Sequence, residues 1–451
     1  MERIAVIGGG YAGFAAAVTL ANAGRAVTVF EAAQTLGGRA RRIEAYEVVV
    51  DNGEHMLLGA YRELLALLRT VHGPGAERDL LERRRLCLAE PGVFRLSAPR
   101  LPAPWHLAVA LLRARGLSWP ERRATVAFVR RLRRDRYRCP ATMTVAELLD
   151  GQPQAAIRNL WEPLCLAALN TPLAAASAQI FLNVLAAAFA RNAHDSDTLM
   201  PRVDLSSLFP DAAAAYVVDR GGSIRKGTTV TDVASRDDHV LLRSGYTDES
   251  FAAAVVAVGP HQLGHLLGGA IESPEAAHAV ACVEQFAYEP ITTAYLKYDR
   301  PLGLAQPMQK LAGTPGQWLF DRGQLEGPEG LAAVVISTEQ PGARQDHPAL
   351  LRAIDDQLRR LLPGLPPPAW LKVIAERRAT YACTAGLMRP APGAIAPRLY
   401  LAGDYTDAEF PATLEAAARS GVAAAREVLA APWAAVASPE PSPRRDRAGA
   451  A

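Results

Sequence analysis

The first thirty-one residues restrict this chain more than any other stretch. Arg3-Ile-Ala-Val-Ile leads into Gly8-x-Gly10-x-x-Gly13, an Ala-rich helical pattern, and then Val27-Thr-Val-Phe closing on Glu31. The order is strand, glycine turn, helix, strand, acid. Gly8 permits the tight turn, Gly10 lets the backbone approach a pyrophosphate, and Gly13 lets the helix pack closely on the strand. The phosphates then sit at the helix N-terminus, where free N–H groups and the helix dipole favour an anion. Glu31, eighteen residues after Gly13, is placed to accept hydrogen bonds from an adenosine ribose. The unit therefore points to a dinucleotide, and it does not separate NAD from FAD.

The bulk properties narrow the partners. At 451 residues the chain holds two or three domains' worth of core, and half of it is hydrophobic. Net charge is only +3, and the cations are mostly arginine. No basic stripe with interleaved aromatics is present, which argues against nucleic acid. The arginine clusters at 83–85, 122–123 and 130–138 read as solvated helix faces, or as contacts to anionic lipid headgroups. Five cysteines (Cys87, Cys139, Cys165, Cys282, Cys383) form no Cys-x-x-Cys pair, which fits a reducing cytoplasm. No signal peptide and no metal site are read from the chain. Residues 163–190 carry no formal charge. Pro172 breaks a single spanning helix there, so the stretch reads as two buried helices that either fill a core or line a pocket for a long apolar substrate.

The pattern along the chain is discontinuous. The expected fold class is α/β: a Rossmann-like nucleotide-binding domain assembled from residues 1–70, 205–265 and 391–431, with an inserted α+β substrate domain. The insertions are 71–204, mainly helical, and 266–390, sheet plus helix, and residues 432–451 read as a disordered tail. Within these, 228–233 (including Val230), 240–243, 253–258, 290–298, 331–338 and 399–401 read as strands. Residues 346–362 read as an amphipathic helix, and 413–430 as an Ala-rich one.

Two further segments favour FAD. Gly37-Gly38-Arg39 suits a loop wrapping back over the pyrophosphate, with Arg39 adding a charge-assisted contact. Gly403-Asp404 at a strand end suits close approach to phosphate, plus a carboxylate for the ribitol. The helix starting at Thr413 and Leu414 would turn its positive end toward the flavin pyrimidine ring. The candidate cofactor residues are thus Gly8, Gly10, Gly13, Glu31, Gly38, Arg39, Val230, Gly403, Asp404, Thr413 and Leu414.

These residues carry a resemblance. Over nearly its full length the chain resembles the flavin amine oxidase and phytoene desaturase superfamily, and within it the hydroxysqualene dehydroxylases, also called squalene-associated FAD-dependent desaturases. The narrower likeness rests on Asp51-Asn-Gly53-Glu54-His55 through Tyr61, on Leu164 through Pro172, on Pro201 through Pro210, and on Leu401-Ala-Gly403-Asp404-Tyr405-Thr-Asp407 with Pro411-Ala-Thr413-Leu-Glu415. Family members often have Gln where Glu54 stands. The resemblance implies reductive removal of the hydroxyl of hydroxysqualene, with reduced FAD as hydride source. It implies a long apolar isoprenoid substrate, an external electron donor or reductase, and cytoplasmic placement with at most peripheral membrane contact at the inner face. A carotenoid-type desaturase or an amine oxidase is the alternative. The resemblance also places 51–55 near the flavin, which makes His55 the first candidate acid, against a purely structural histidine. Glu54 is a weaker candidate, against a carboxylate facing solvent. Cys383 reads as a buried thiol rather than a covalent flavin anchor, while Tyr405 and Asp407 either face the flavin or shape their loop. Amine oxidases typically carry a lysine near the flavin; the strand at 290–297 has one only at its far end, Lys297.

Overall fold

The computed structural model describes residues 3–268, 272–337 and 346–434. Its organising element is a six-stranded sheet in the order Ser223–Lys226, Val27–Glu31, Ile4–Ile7, Ala253–Val256, Leu399–Leu401, Gly393–Ala396. The first five strands are parallel and the last is antiparallel. The apolar runs Ile4–Ile7 and Ala253–Val256 are buried throughout, as expected of central parallel strands covered on both faces. Strands from the beginning, middle and end of the chain therefore share one sheet.

Small residues set how closely the helices cover it. The helix Tyr11–Asn22 is almost wholly buried. It packs against the C-terminal helix Leu414–Ala430 at very short range, where a Cβ on Gly421 would lie 2.1 Å from the Ala12 carbonyl oxygen. An antiparallel three-stranded sheet, Val230–Ser235, Val240–Ser244 and Thr247–Phe251, is appended between the parallel strands. Of the expected tail, Pro432–Ala434 forms a short 3-10 turn, and 435–451 lie outside the described residues.

The inserted part has two portions. One is helical, built around Trp105–Leu112, Trp119–Arg134, Glu162–Leu169 and Ala178–Phe189. The charge-free stretch is two helices, as its proline suggested; the first ends at Asn170, held at φ 47, a conformation asparagine tolerates. Two small ladders accompany these helices, Leu81–Arg84 on Thr198–Pro201 and Cys87–Glu90 on Phe94–Ser97. The other portion is an antiparallel five-stranded sheet in the order Met308–Lys310, Trp318–Asp321, Leu331–Ser337, Tyr288–Lys297, Trp370–Tyr381. The helix His347–Leu361 packs against it. Residue 338, expected to end a strand, lies outside the described residues. No helix among the described residues is long and apolar enough to cross a membrane.

Candidate active site

The candidate residues converge on the carboxyl edge of the parallel sheet, where ligands of open α/β sheets bind. Gly8 follows the first strand at φ 112, and a Cβ there would lie 2.5 Å from the Ala257 carbonyl oxygen. A Cβ on Gly13 would lie 1.9 Å from the Gly8 carbonyl oxygen, so helix and turn touch through the missing side chain. Gly10 differs: a Cβ there would meet only Gly37 and Gly38 backbone atoms, at 3.8–4.0 Å. Turn and Gly-Gly loop are joined by Gly37 N–H donating to the Gly9 carbonyl at 2.9 Å. The result is a groove walled by bare backbone.

Glu31 serves the turn as well as any ligand. Its carboxylate accepts from Gly9 N at 2.7 Å and Ala33 N at 2.8 Å. A carboxylate has about four acceptor positions, so lone pairs are left for ribose hydroxyls. Thr228 N–H donates to the Glu31 carbonyl at 2.9 Å, which brings Val230, two residues on, to the same edge.

Arg39 and Asp404 meet each other. Arg39 donates to Asp404 Oδ1 at 2.6 Å and to the Ala379 carbonyl at 2.9 Å. Burial works against the guanidinium charge, and Asp404 restores it, raising the Arg39 pKa overall. The pyrophosphate contact expected of Arg39 thus shares the side chain with a link between the two glycine loops and the strand Trp370–Tyr381. Gly403 is needed because a Cβ would lie 2.3 Å from the Tyr405 ring. Thr413 caps the C-terminal helix, its Oγ1 accepting from Ala416 N at 3.1 Å. Leu414 follows in the first turn, where N–H groups have no intrahelical acceptor.

The two residues left open after Gly403-Asp404 part company. Asp407 accepts from Glu409 N, Phe410 N and Arg419 at 2.7–2.9 Å, so it shapes the loop. Tyr405 is fully buried and its hydroxyl has no hydrogen-bond partner among the described residues. Thr293 Oγ1 and Asn170 Oδ1 are buried and unpartnered too. Thr293 Oγ1 lies 3.8 Å from where a Cβ on Gly53 would be, and the Asn170 amide donates to Thr380 Oγ1 at 3.0 Å. Buried polar atoms are seldom left unpaired, so these three, together with the groove beside Gly10, fit a bound polar ring system and its phosphates. Cys383 is buried, and its thiol is pushed up to about 11 by burial, which keeps it protonated and unreactive.

The 51–55 segment corrects one expectation and bears on another. Glu54 does not face solvent: its side chain is 3% exposed and lies 3.4 Å from Arg322. Burial raises its pKa and Arg322 lowers it, with burial the larger. Asp51, accepting from Leu205 N at 2.8 Å, is raised by burial and then by Glu54. A polar cavity of about 370 Å³ reaches this pair, lined by Asp51, Glu54, Tyr295 and Arg322 and rimmed by exposed Val49 and Glu326. His55 was the first candidate acid, and its setting opposes that role. Its Nδ1–H donates to the Gly53 carbonyl at 2.8 Å, while burial and then Arg39 lower its pKa against that bond. Its surroundings therefore favour the neutral ring, which leaves Nε2 as an acceptor.

Arg322, Glu376, Thr293 and Tyr288 went unnoticed in the sequence. Glu376 accepts from the Asn52 amide at 3.1 Å, and Arg378 stands 5.7 Å from the centre of the Tyr288 ring. Only Asn170 had a signal, its place in a segment that carries the resemblance.

The family model for flavin containing amine oxidoreductases matches residues 11–429. The chain belongs to that family. Its members are FAD-dependent oxidoreductases, and FAD is the cofactor that the groove fits. The chain is 29% identical to the hydroxysqualene dehydroxylase of Rhodopseudomonas palustris, covering 95% of this chain and 99% of that one. It is 27% identical to the hydroxysqualene dehydroxylase of Sinorhizobium fredii over 94% and 97%. Among solved structures, an oxidoreductase from Methanosarcina mazei superposes with a TM-score of 0.73 at 16% identity, covering 93% of this chain and 99% of that one. This flavin oxidoreductase thus shares its α/β fold with distant relatives and its full length with hydroxysqualene dehydroxylases.

Proposed function

We propose that this oxidoreductase removes the hydroxyl of hydroxysqualene to give squalene and water. The observation that carries the reading is the full-length likeness to hydroxysqualene dehydroxylases. Two features of the chain support it. The inserted helices meet along an apolar seam, lined among others by Leu107, Leu111, Leu164, Leu185 and Phe189, in which only about 20 Å³ is open, so a long apolar chain enters it only as these helices part. Its walls belong to one continuous apolar cluster that also includes Tyr381 and Tyr405 beside the candidate flavin site. The strand Tyr288–Lys297 carries a lysine only at its far end, Lys297, which donates to the Tyr298 carbonyl at 2.7 Å.

Reduced FAD supplies the hydride when bound, held by the residues around Gly10, Glu31, Arg39, Asp404 and Thr413. The protein must deliver one proton to the departing hydroxyl and exclude water from the carbon it leaves. Asp51 and Glu54, with raised pKa values and a polar cavity open to solvent, suit storage of that proton better than neutral His55. His55 Nε2, an acceptor at rest, suits orienting the substrate hydroxyl. Reducing equivalents come from an external donor, since only one dinucleotide fingerprint is read from the sequence.

Anaerobic incubation of the FAD-loaded protein with a chemical reductant and hydroxysqualene should yield squalene. Absence of squalene, with peroxide released from an amine in air, would overturn the reading. Glu54→Gln should lower turnover and flatten its fall at rising pH, with FAD content unchanged; an unaltered pH profile would remove Glu54 as the proton store.

A further inference from the structure

The helix Trp105–Leu112 breaks the usual rule of patterning. It carries no charged residue, and its one titratable side chain, His106, is buried. A helix that is apolar all round belongs inside a protein or a membrane, yet this one lies at the surface. Trp105 is 63% exposed, with Leu101 just before it at 39%, while Ala108, Val109 and Leu112 are half-exposed. Beyond the following turn, Trp119 opens the next helix at 58% exposure. The two helices pack on each other, and Arg122 ties them by donating to the Leu112 carbonyl at 3.2 Å and the Leu117 carbonyl at 2.9 Å.

The surroundings are cationic far beyond the balance of the whole chain. Residues 95–138 hold twelve arginines, no lysine and two carboxylates. Arg100, Arg113, Arg115 and Arg123 are exposed and make no ion pair with any described residue. Arg95 and Arg115 are bridged through their backbones, which sets further positive charge beside the turn. Tryptophan is favoured at a membrane–water interface, and unpaired arginines around it are drawn to anionic headgroups. A second copy of the chain is a poor occupant, because a self-complementary contact would bring like charges together.

We propose that the surface formed by Leu101, Trp105, Trp119 and the surrounding arginines docks onto a bilayer bearing anionic lipid. The inner side of the same helix supplies Leu107 and Leu111 to the apolar seam. Docking therefore sets the seam wall against the acyl chains, and an apolar substrate passes between them without crossing water. That second clause rests on the hydroxysqualene reading; the docking does not.

The test is flotation of the FAD-loaded protein with vesicles of phosphatidylcholine, with and without phosphatidylglycerol. Binding is expected only with the anionic lipid and should weaken as salt rises. The pairs Trp105→Asp with Trp119→Asp, and Arg113→Glu with Arg115→Glu, should each lower partitioning about tenfold or more. Tyr246→Asp, fully exposed elsewhere, should not. FAD content identical to wild type shows that each variant is folded. Failure to float with anionic vesicles, or equal flotation of the paired variants, overturns the proposal. So does a dimer in solution that Trp105→Asp dissociates, since the face would then belong to a second copy. The readout needs no turnover, so failure of the squalene assay and failure of docking are separate results.

Discussion

Gly13 and Glu415 illustrate how single positions hold the cradle. A methyl group on Gly13 has nowhere to go, since the Gly8 carbonyl oxygen would lie 1.9 Å away. Gly13→Ala should therefore cost about 1–3 kcal/mol and release FAD, read as a lower Tm and colourless protein after purification. Glu415 closes the Pro411–Glu415 segment that carries the resemblance. Its two oxygens accept from Glu63 N and Leu64 N at 3.0 Å, so it caps the neighbouring helix Arg62–His72. Burial raises its pKa to about 6 from the ordinary 4.5, against those two bonds. Because the folded value is the higher one, its contribution to stability is complete below pH 4.5 and is lost as pH rises to 6. Relative to Glu415→Gln, which does not titrate, wild type should thus lose roughly 2 kcal/mol across that interval. Paired denaturation curves at the two pH values measure it. A constant difference would mean that the carboxylate is not strained by its burial.

At the level of elements, legibility followed periodicity and spacing. The glycine turn, the buried parallel strands and the two helices of the charge-free stretch all announce themselves through local pattern. The strand Trp370–Tyr381 does not: Lys372, Glu376, Arg377 and Arg378 interrupt it, and its sides are only partly buried. It nevertheless presents Ala379 to Arg39 and Glu376 to Asn52. Contacts of this sort join residues more than three hundred positions apart, and no local pattern encodes them. The same holds for Glu54, whose partner Arg322 came without a motif. Backbone roles could be read from glycine spacing, whereas protonation roles depend on burial, which no local pattern around His55 or Glu54 encodes. The helices Glu162–Leu169 and Ala178–Phe189 also carry a prediction. Leu164→Trp overfills the apolar seam, where only about 20 Å³ is open; it should lower Tm and raise KM for hydroxysqualene about tenfold, equal to ~1.4 kcal/mol of binding, with FAD content unchanged. An unaltered KM would place the substrate elsewhere.

For the molecule as a whole, several polar ties hold the inserted sheet to the nucleotide-binding part, among them Arg39–Ala379, Asn52–Glu376, Tyr295–Asp51 and the buried pair Glu54–Arg322. Arg322 also donates to the Pro201 carbonyl at 3.2 Å. Removing the cation in Arg322→Met takes away the one charge that lowers the Glu54 pKa, so Glu54 must take up a proton to stay buried, at a cost of about 3 kcal/mol at neutral pH. Adding Glu54→Gln should return most of that loss, and a double-mutant cycle by chemical denaturation would reveal the coupling. The strand order of the central sheet has a consequence in time. Ala253–Val256 lies between Ile4–Ile7 and Leu399–Leu401, so the glycine turn made first on the ribosome waits for nearly four hundred further residues before the Gly403-Asp404 loop exists. Pairings so distant in sequence are slow to close. Until then the nascent chain has half a cradle and no means of retaining its flavin, so cofactor uptake belongs to the released polypeptide rather than to the growing one.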